Sequence, residues 1–410
     1  SFPNEAWFAK IQRLIRALRN SKLSLAPPRR KAVVQVHQDG YDLLVRYIDP
    51  KKVFVADPAS INIWILLRCV FLRRLNMIGY IRTVIERMQP QLVITFIDND
   101  PSFYTLKPLI PGPFFIAVQN GLRNNYSYAF KGGFVDRLLA IRSSTHLSAD
   151  LICTFGEGSS KFFQQFITTE TLVTGNLRNN DIEMIKSTQI DFDIVLMSQH
   201  APFDLNLSNE TMYLYDSFTP IIDFYQTEVH IAKFLATYCM ERSLRFAVSG
   251  KRGPEHSFES DFFAKAIGGL PYTFLPRLHR DSSYKNAYRA SLVVVVDSTI
   301  GYELLSRGKK VAFFSVRKIG SSQDHDQYRD TCFGYPSEYP NSGPFWTNQP
   351  DGNEYTRILD DLFAFSEADW SLLHKQYTED LMALRPGSPE FVGALKLLGV
   401  TSTSEVVQRA

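Results

Sequence analysis

The stretch Val293 to Phe314, VVVVDSTIGYELLSRGKKVAFF, restricts the fold more than any other part of the chain. An unbroken Val run bounded by polar residues is a strand covered on both faces, the mark of a parallel sheet. Ser298 or Thr299 suits the N-cap of a helix through Tyr302, Glu303, Leu304 and Leu305, and Gly308 beside Lys309 and Lys310 suits its stop. The unit is strand, turn, helix, strand, with its turn at the carboxyl end of a parallel strand. Open α/β sheets bind ligands there, and a helix N-terminus offers free N–H groups and a partial positive charge to an anion. A plain helix cap is the competing reading of the same two hydroxyls.

The same grammar recurs along the chain. Ala32 to Gln38, Gln91 to Asp100, Phe114 to Gly121, Asp150 to Gly158 and Thr171 to Asn176 each read as an apolar strand ending in small or polar residues, with helices between several of them. It restarts at Asp193 to Ser198 and returns at Leu244 to Gly253. Alternating strands and helices predict parallel sheets covered on both faces, and 410 residues exceed one ordinary core. The expectation is an α/β chain of two Rossmann-like domains facing across a cleft, the GT-B architecture of many glycosyltransferases. The first, residues 1–185, would hold the acceptor, and the second, residues 186–410, the nucleotide-sugar donor.

Several classes are excluded. Neither half carries G-x-G-x-x-G or a P-loop, so a dinucleotide oxidoreductase or an NTPase lacks its fingerprint. A net charge of +3 does not suit a general nucleic-acid binder. The four cysteines, Cys69, Cys153, Cys239 and Cys332, form no CxxC pair, so no zinc site or disulfide framework is expected, and a reducing cytoplasm is. No apolar run reaches the roughly 18 residues of a membrane span. Near the start, Trp7, Ile11, Leu14, Ile15 and Leu18 fall on one helical face and Lys10, Arg13, Arg16 and Arg19 on the other. Such an arm suits peripheral contact with an anionic membrane, the cytoplasmic face of an inner membrane being the expected place, or packing on its own domain.

Candidate site residues cluster at strand ends. In the second half, Ser198 closes a strand, Lys251 and Arg252 follow another in a glycine-flanked turn, and Ser298, Thr299 and Glu303 follow a third. Cations, hydroxyls and one carboxylate suit a nucleoside monophosphate leaving group without a metal or other cofactor, Glu303 accepting from ribose hydroxyls. In the first half, Asp98, Asn99, Gln119, Asn120 and Arg123 suit the hydroxyls of a glycan or lipid-linked glycan acceptor, with Phe103, Tyr104 and Tyr126 available to stack on sugar rings. An ordinary Asn-Gly turn is the competing reading there.

The opening stretch, FGYPSEYPNSGPFWTN (Phe333 to Asn348) and VQNGLRNN (Val118 to Asn125) together resemble bacterial surface-carbohydrate biosynthesis proteins. They are most similar to the retaining β-Kdo glycosyltransferases of lipopolysaccharide O-antigen or capsule, over roughly Ala32 to Leu398. The resemblance implies a CMP-Kdo donor and double displacement through an aspartate nucleophile assisted by a glutamate and a histidine. Glu157 in FGEG matches the glutamate best, for proton transfer at the acceptor hydroxyl. His256 is the favoured histidine, ahead of His200 and His279. Asp223 is the favoured nucleophile, with Asp204 and Glu228 close behind. Arg277, Arg280 and Lys285 are available to the Kdo carboxylate. Other readings are a CMP-sialic-acid-type inverting transferase, a nucleotide-sugar epimerase, or a non-catalytic glycan-assembly module.

Overall fold

The computed structural model describes residues 22–57, 59–123, 134–183, 189–199, 211–214, 217–317 and 332–401, and only the backbone over 211–214 and 217–224. Its first strands are β1 (Lys22–Ser24), β2 (Val33–Val36), β3 (Val53–Ala56), β4 (Ser60–Asn62), β5 (Leu92–Thr95), β6 (Phe114–Val118), β7 (Ser148–Thr154) and β8 (Thr168–Val173). There follow β9 (Phe192–Met197), β10 (Thr211–Leu214), β11 (Ser217–Pro220), β12 (Phe246–Ser249), β13 (Thr273–Leu275), β14 (Ala290–Val295), β15 (Val311–Phe314) and β16 (Trp346–Thr347).

One six-stranded sheet has the order β3-β2-β5-β6-β7-β8 and the other β13-β12-β9-β14-β15-β16. Every neighbouring pair in both is parallel. The chain is therefore α/β, with two Rossmann-like parallel-sheet domains. Successive residues of a strand face opposite sides of its sheet. Val33, Leu92, Ile94, Ile116 and Val118 accordingly join one core, while Val34, Val93, Phe115 and Ala117 join another across the first sheet. Val293 to Val296 are buried with Phe313 and Phe314 in the core of the second domain.

The FGYPSEYPNSGPFWTN stretch belongs to that core. The Phe333 ring stacks on Trp346 at 4.3 Å and on Tyr302 at 5.8 Å, and the Gly334 N–H donates to the Tyr302 hydroxyl at 2.9 Å. Its aromatic residues fix the helix that follows β14 against β16.

The domains are joined closely. Phe155, just past β7, packs into the second domain's core, and its carbonyl accepts the Ala383 N–H at 2.8 Å. The last helix, Pro389–Leu397, assigned by sequence to the second domain, buries Phe391 and Leu395 against the first sheet with Val33 and Ile94. Asp42, in the short helix Tyr41–Leu44 after β2, pairs with Arg280, beyond the end of β13, at 2.9 Å. The carboxyl ends of the two sheets thus face one another.

Glycine makes this junction possible. A Cβ at Gly156 would lie 2.3 Å from the Asp380 carbonyl oxygen, a backbone atom that cannot swing aside. Gly156→Ala is expected to cost about 1–3 kcal/mol in urea unfolding. Gly393→Ala, at a helix position with nothing within 4 Å of the added carbon, is expected to be neutral or stabilising. Equal behaviour of the two variants would show that the junction is not tight at Gly156.

Candidate functional site

Numbered along the chain, the strands of the second sheet run 3-2-1-4-5-6, and this order reverses between β9 and β14, where such sheets bind ligands. Ser198 and Gln199 follow β9, and Asp297, Ser298 and Thr299 follow β14. Ser298 is the N-cap of helix Thr299–Ser306, yet no side chain caps this helix. The helix approaches the sheet through Gly301, where a Cβ would lie 2.6 Å from Val295 Cγ2 and 2.8 Å from Phe313 Cε1. Ser298 and Thr299 stay partly exposed at the reversal point.

The polar break after the Val run has an electrostatic cause. The Asp297 carboxylate accepts from Arg317 Nε at 2.6 Å and Nη2 at 3.1 Å, and the same guanidinium donates to both oxygens of Glu228. Arg317 and Glu228 are each about 1% exposed. Burial alone would lower the Arg317 pKa, but the two carboxylates hold it well above its usual value.

The turn after β12 is shaped from behind by a residue that sequence reading missed. Glu259 is fully buried in the first turn of helix Ser257–Ile267 and accepts the Ser198 hydroxyl at 2.5 Å. It also accepts the backbone N–H groups of Lys251 and Arg252, each at 2.9 Å. A Cβ at Gly250 would lie 2.7 Å from Phe274 Cζ and 3.1 Å from Glu259 Oε2, so the turn needs glycine. With those N–H groups taken, the turn's resources for a ligand are the exposed Lys251 and the partly buried Arg252, whose Nε has no hydrogen-bond partner among the described residues.

Other residues singled out by sequence are placed differently. Glu303 is buried at the domain junction, its oxygens accepting from Asn176 Nδ2 at 2.6 Å and the Tyr284 hydroxyl at 2.5 Å. Burial pushes its carboxyl up against the effect of the Tyr284 hydrogen bond. A ribose hydroxyl would have to displace one of these donors. His256 is exposed at the N-cap of Ser257–Ile267 and lies 3.6 Å from Glu255. Glu157 opens helix Glu157–Phe166 at the end of β7 and is exposed beside the domain junction. Arg280 is engaged by Asp42, and Lys285 pairs with Asp281 at 2.7 Å. Asp223 falls within helix Ile221–Glu241, but its side chain, like His200 and Asp204, lies outside the described residues.

In the first domain Asp98, Gln119, Asn120 and Arg123 do come together, chiefly to satisfy one another. The buried Asp98 carboxylate accepts from Arg123 Nε at 2.8 Å, Arg123 Nη2 at 2.7 Å and the Asn120 N–H at 3.0 Å. Gln119 accepts the Phe155 N–H at 2.7 Å and donates to Ser159. Asn99 is partly exposed, and its carbonyl accepts from Arg137. Phe103 and Tyr104 are packed in the core, so neither can stack on a sugar, and Tyr126 lies outside the described residues.

The first sheet reverses between β2 and β5, and there Asp100, the last acid of the DND stretch that sequence reads as acceptor-side or structural, meets a histidine that sequence reading passed over. His37 follows β2 with φ 69°, a left-handed conformation uncommon for residues other than glycine. Its Nε2 lies 3.3 Å from Asp100 Oδ2, and this hydrogen bond raises the imidazole pKa above the ordinary 6.5. Asp100 also caps helix Pro101–Tyr104 through the Ser102 N–H at 3.0 Å. Its carboxyl is lowered: burial would raise it, and His37 and Ser102 outweigh burial. The signal available in sequence was a histidine at the end of a buried Val run. Among the described residues no group of three or more His, Cys, Asp or Glu side chains is placed to hold a metal ion.

Residues 116–398, more than half of the chain, match the family described as "putative O-antigen biosynthesis protein". The chain belongs to this O-antigen biosynthesis family. The matched region contains Ser198, Lys251, Arg252, Ser298, Thr299 and Glu303, whereas His37, Asp98 and Asp100 precede it. No curated protein matches the chain. Solved structures similar to this family member include the S. aureus MnaA-UDP co-structure, at 13% identity over 92% of this chain and 99% of that one, with a TM-score of 0.49. A glycosyltransferase from Rickettsia africae ESF-5 is 8% identical over 93% and 100%, with a TM-score of 0.47. The wall teichoic acid polymerase TagF in a CDPG soak is 10% identical over 97% and 98%, with a TM-score of 0.43.

Proposed function

We propose that this O-antigen biosynthesis protein is a glycosyltransferase that moves Kdo from CMP-Kdo to a sugar hydroxyl of a surface glycan, with retention at the anomeric carbon. The observation that carries the reading is the helix N-terminus at Ser298, at the β9/β14 reversal, with hydroxyls no cap consumes. The phosphate of a cytidine nucleotide would take the N–H groups and hydroxyls of this terminus, and Lys251 and Arg252 would balance its charge. Retention needs two inversions or attack from the leaving-group face, and a carboxylate on the opposite face supplies the first inversion. Glu228 is committed to Arg317, which leaves Asp223 and Asp204 for that role.

On the acceptor side we assign the proton to His37, held by Asp100 at the first sheet's reversal point. A neutral imidazole there takes the acceptor hydroxyl proton as the glycosidic bond forms. Glu157, exposed at the domain junction, is the second proton carrier.

The test is calorimetric titration of CMP, UMP and UDP into the wild type and a Ser298→Ala/Thr299→Ala variant. The expected result is preferential CMP binding, weakened by about tenfold or more in the variant. Equal binding by both proteins would return the two hydroxyls to a plain helix terminus and remove the donor site. Turnover surviving Asp223→Asn and Asp204→Asn would exclude them as the nucleophile.

A further inference from the structure

Helix Ile63–Phe71 is amphipathic in an unusual sense: both of its faces are apolar. Ile65 and Cys69 are buried on the domain, while Trp64, Leu67 and Phe71, at helical spacing on the other side, are 53%, 59% and 86% exposed. The parallel pair β1–β4 sets a second exposed apolar segment beside them. Leu23 and Leu25 lie there, and Trp64 Nε1 donates to the Leu25 carbonyl at 2.6 Å. Leu25 is 74% exposed. Scattered exposed leucines need no explanation, but a contiguous apolar face on a helix does.

Charge says what covers it. The two chain stretches that β1 and β4 bring together, residues 6–38 and 58–85, contain no Asp or Glu at all. Lys22, Arg29 and Arg30 are exposed on the first, and Arg68 and Arg73 on the second. None of these five forms a salt bridge among the described residues. A protein partner of mixed charge gains nothing from so one-sided a rim. Aromatic and aliphatic side chains ringed by unpaired cations match the boundary of an anionic bilayer, where rings enter the headgroup level and cations meet lipid phosphates.

We infer that the face formed by helix Ile63–Phe71 and β1 docks this protein on an anionic lipid surface. This inference does not depend on the donor assignment, since none of its residues is placed in the donor or acceptor site. No helix among the described residues is long and apolar enough to cross a membrane, so this contact is surface binding.

Flotation of the full chain with equimolar phosphatidylglycerol/phosphatidylcholine vesicles tests it, with pure phosphatidylcholine vesicles as the neutral arm. The expected result is binding to the anionic vesicles only. Leu67→Ser/Phe71→Ser and Lys22→Glu/Arg68→Glu should each weaken partitioning by at least about tenfold, with melting temperature unchanged because these side chains are exposed. No binding, or wild-type binding by the Leu67→Ser/Phe71→Ser protein, would overturn the assignment, the latter by placing all affinity in residues 1–21. Sedimentation without lipid supplies the remaining outcome: a dimer abolished by the same serine pair would give the face to a second copy and also overturn it.

Discussion

Glutamine in place of His37 is expected to lower turnover by about 10²- to 10⁴-fold, the usual contribution of a positioned general base, while nucleotide affinity stays in place. The sign of the pH dependence follows from the pair. His37 must be neutral to accept a proton, and its hydrogen bond to Asp100 raises its pKa above 6.5, so activity should rise through a limb above that value. Asp100→Asn removes the main cause of the shift and should move the limb to lower pH. A flat profile, or a limb unmoved by Asp100→Asn, would take His37 out of the chemistry. The pair also bears on stability. His37, with its pKa raised in the fold, contributes fully below its unfolded value and loses that contribution as pH rises through the folded one; Asp100, lowered, loses its own as pH falls. The ion pair is therefore strongest between the ordinary values of 3.8 and 6.5.

Arg317→Met is expected to destabilise the protein by about 3–5 kcal/mol, because it leaves Asp297 and Glu228 buried without their counter-charge. The deficit should shrink at low pH, where protonation relieves Glu228, whose pKa burial already raises, and urea unfolding at two pH values measures it. A loss under about 1 kcal/mol would mean that solvent reaches the pair. Because Asp297 immediately precedes Ser298, the variant should also weaken CMP binding even where it remains folded. Replacing all three residues by apolar ones should recover stability without recovering the site.

The sheets were legible in sequence because their signal is local. Four consecutive buried residues in β2, β5, β9, β12 and β15 make runs that no exposed strand would carry, and Gly301 and Gly308 punctuate the helix between β14 and β15. The site was legible only in its positions. Ser298 lies at the reversal of the second sheet, and Lys251 and Arg252 in the turn after the neighbouring strand β12, but much of what shapes these turns is long-range. Glu259, which holds the Lys251 and Arg252 N–H groups, also meets Ser198, 61 residues away, Arg317 joins residues 20 and 89 positions away, and His37 meets Asp100 across 63. Nothing in the local pattern of a helical Glu or a loop Arg announces such partners. Glu303 was misjudged for the same reason. One turn past a helix N-terminus at a strand end it suits a ribose, yet Asn176 arrives from the other domain to occupy it.

The returning helix Pro389–Leu397 has a consequence for how the protein is made. Val33 and Ile94 leave the ribosome long before Phe391 and Leu395, which close that side of their sheet. A first domain completed in sequence order would thus wait with part of its apolar face uncovered until helix Pro389–Leu397 is made. Such a surface invites chaperones or aggregation, and it ties the maturation of the first domain to the completion of the second.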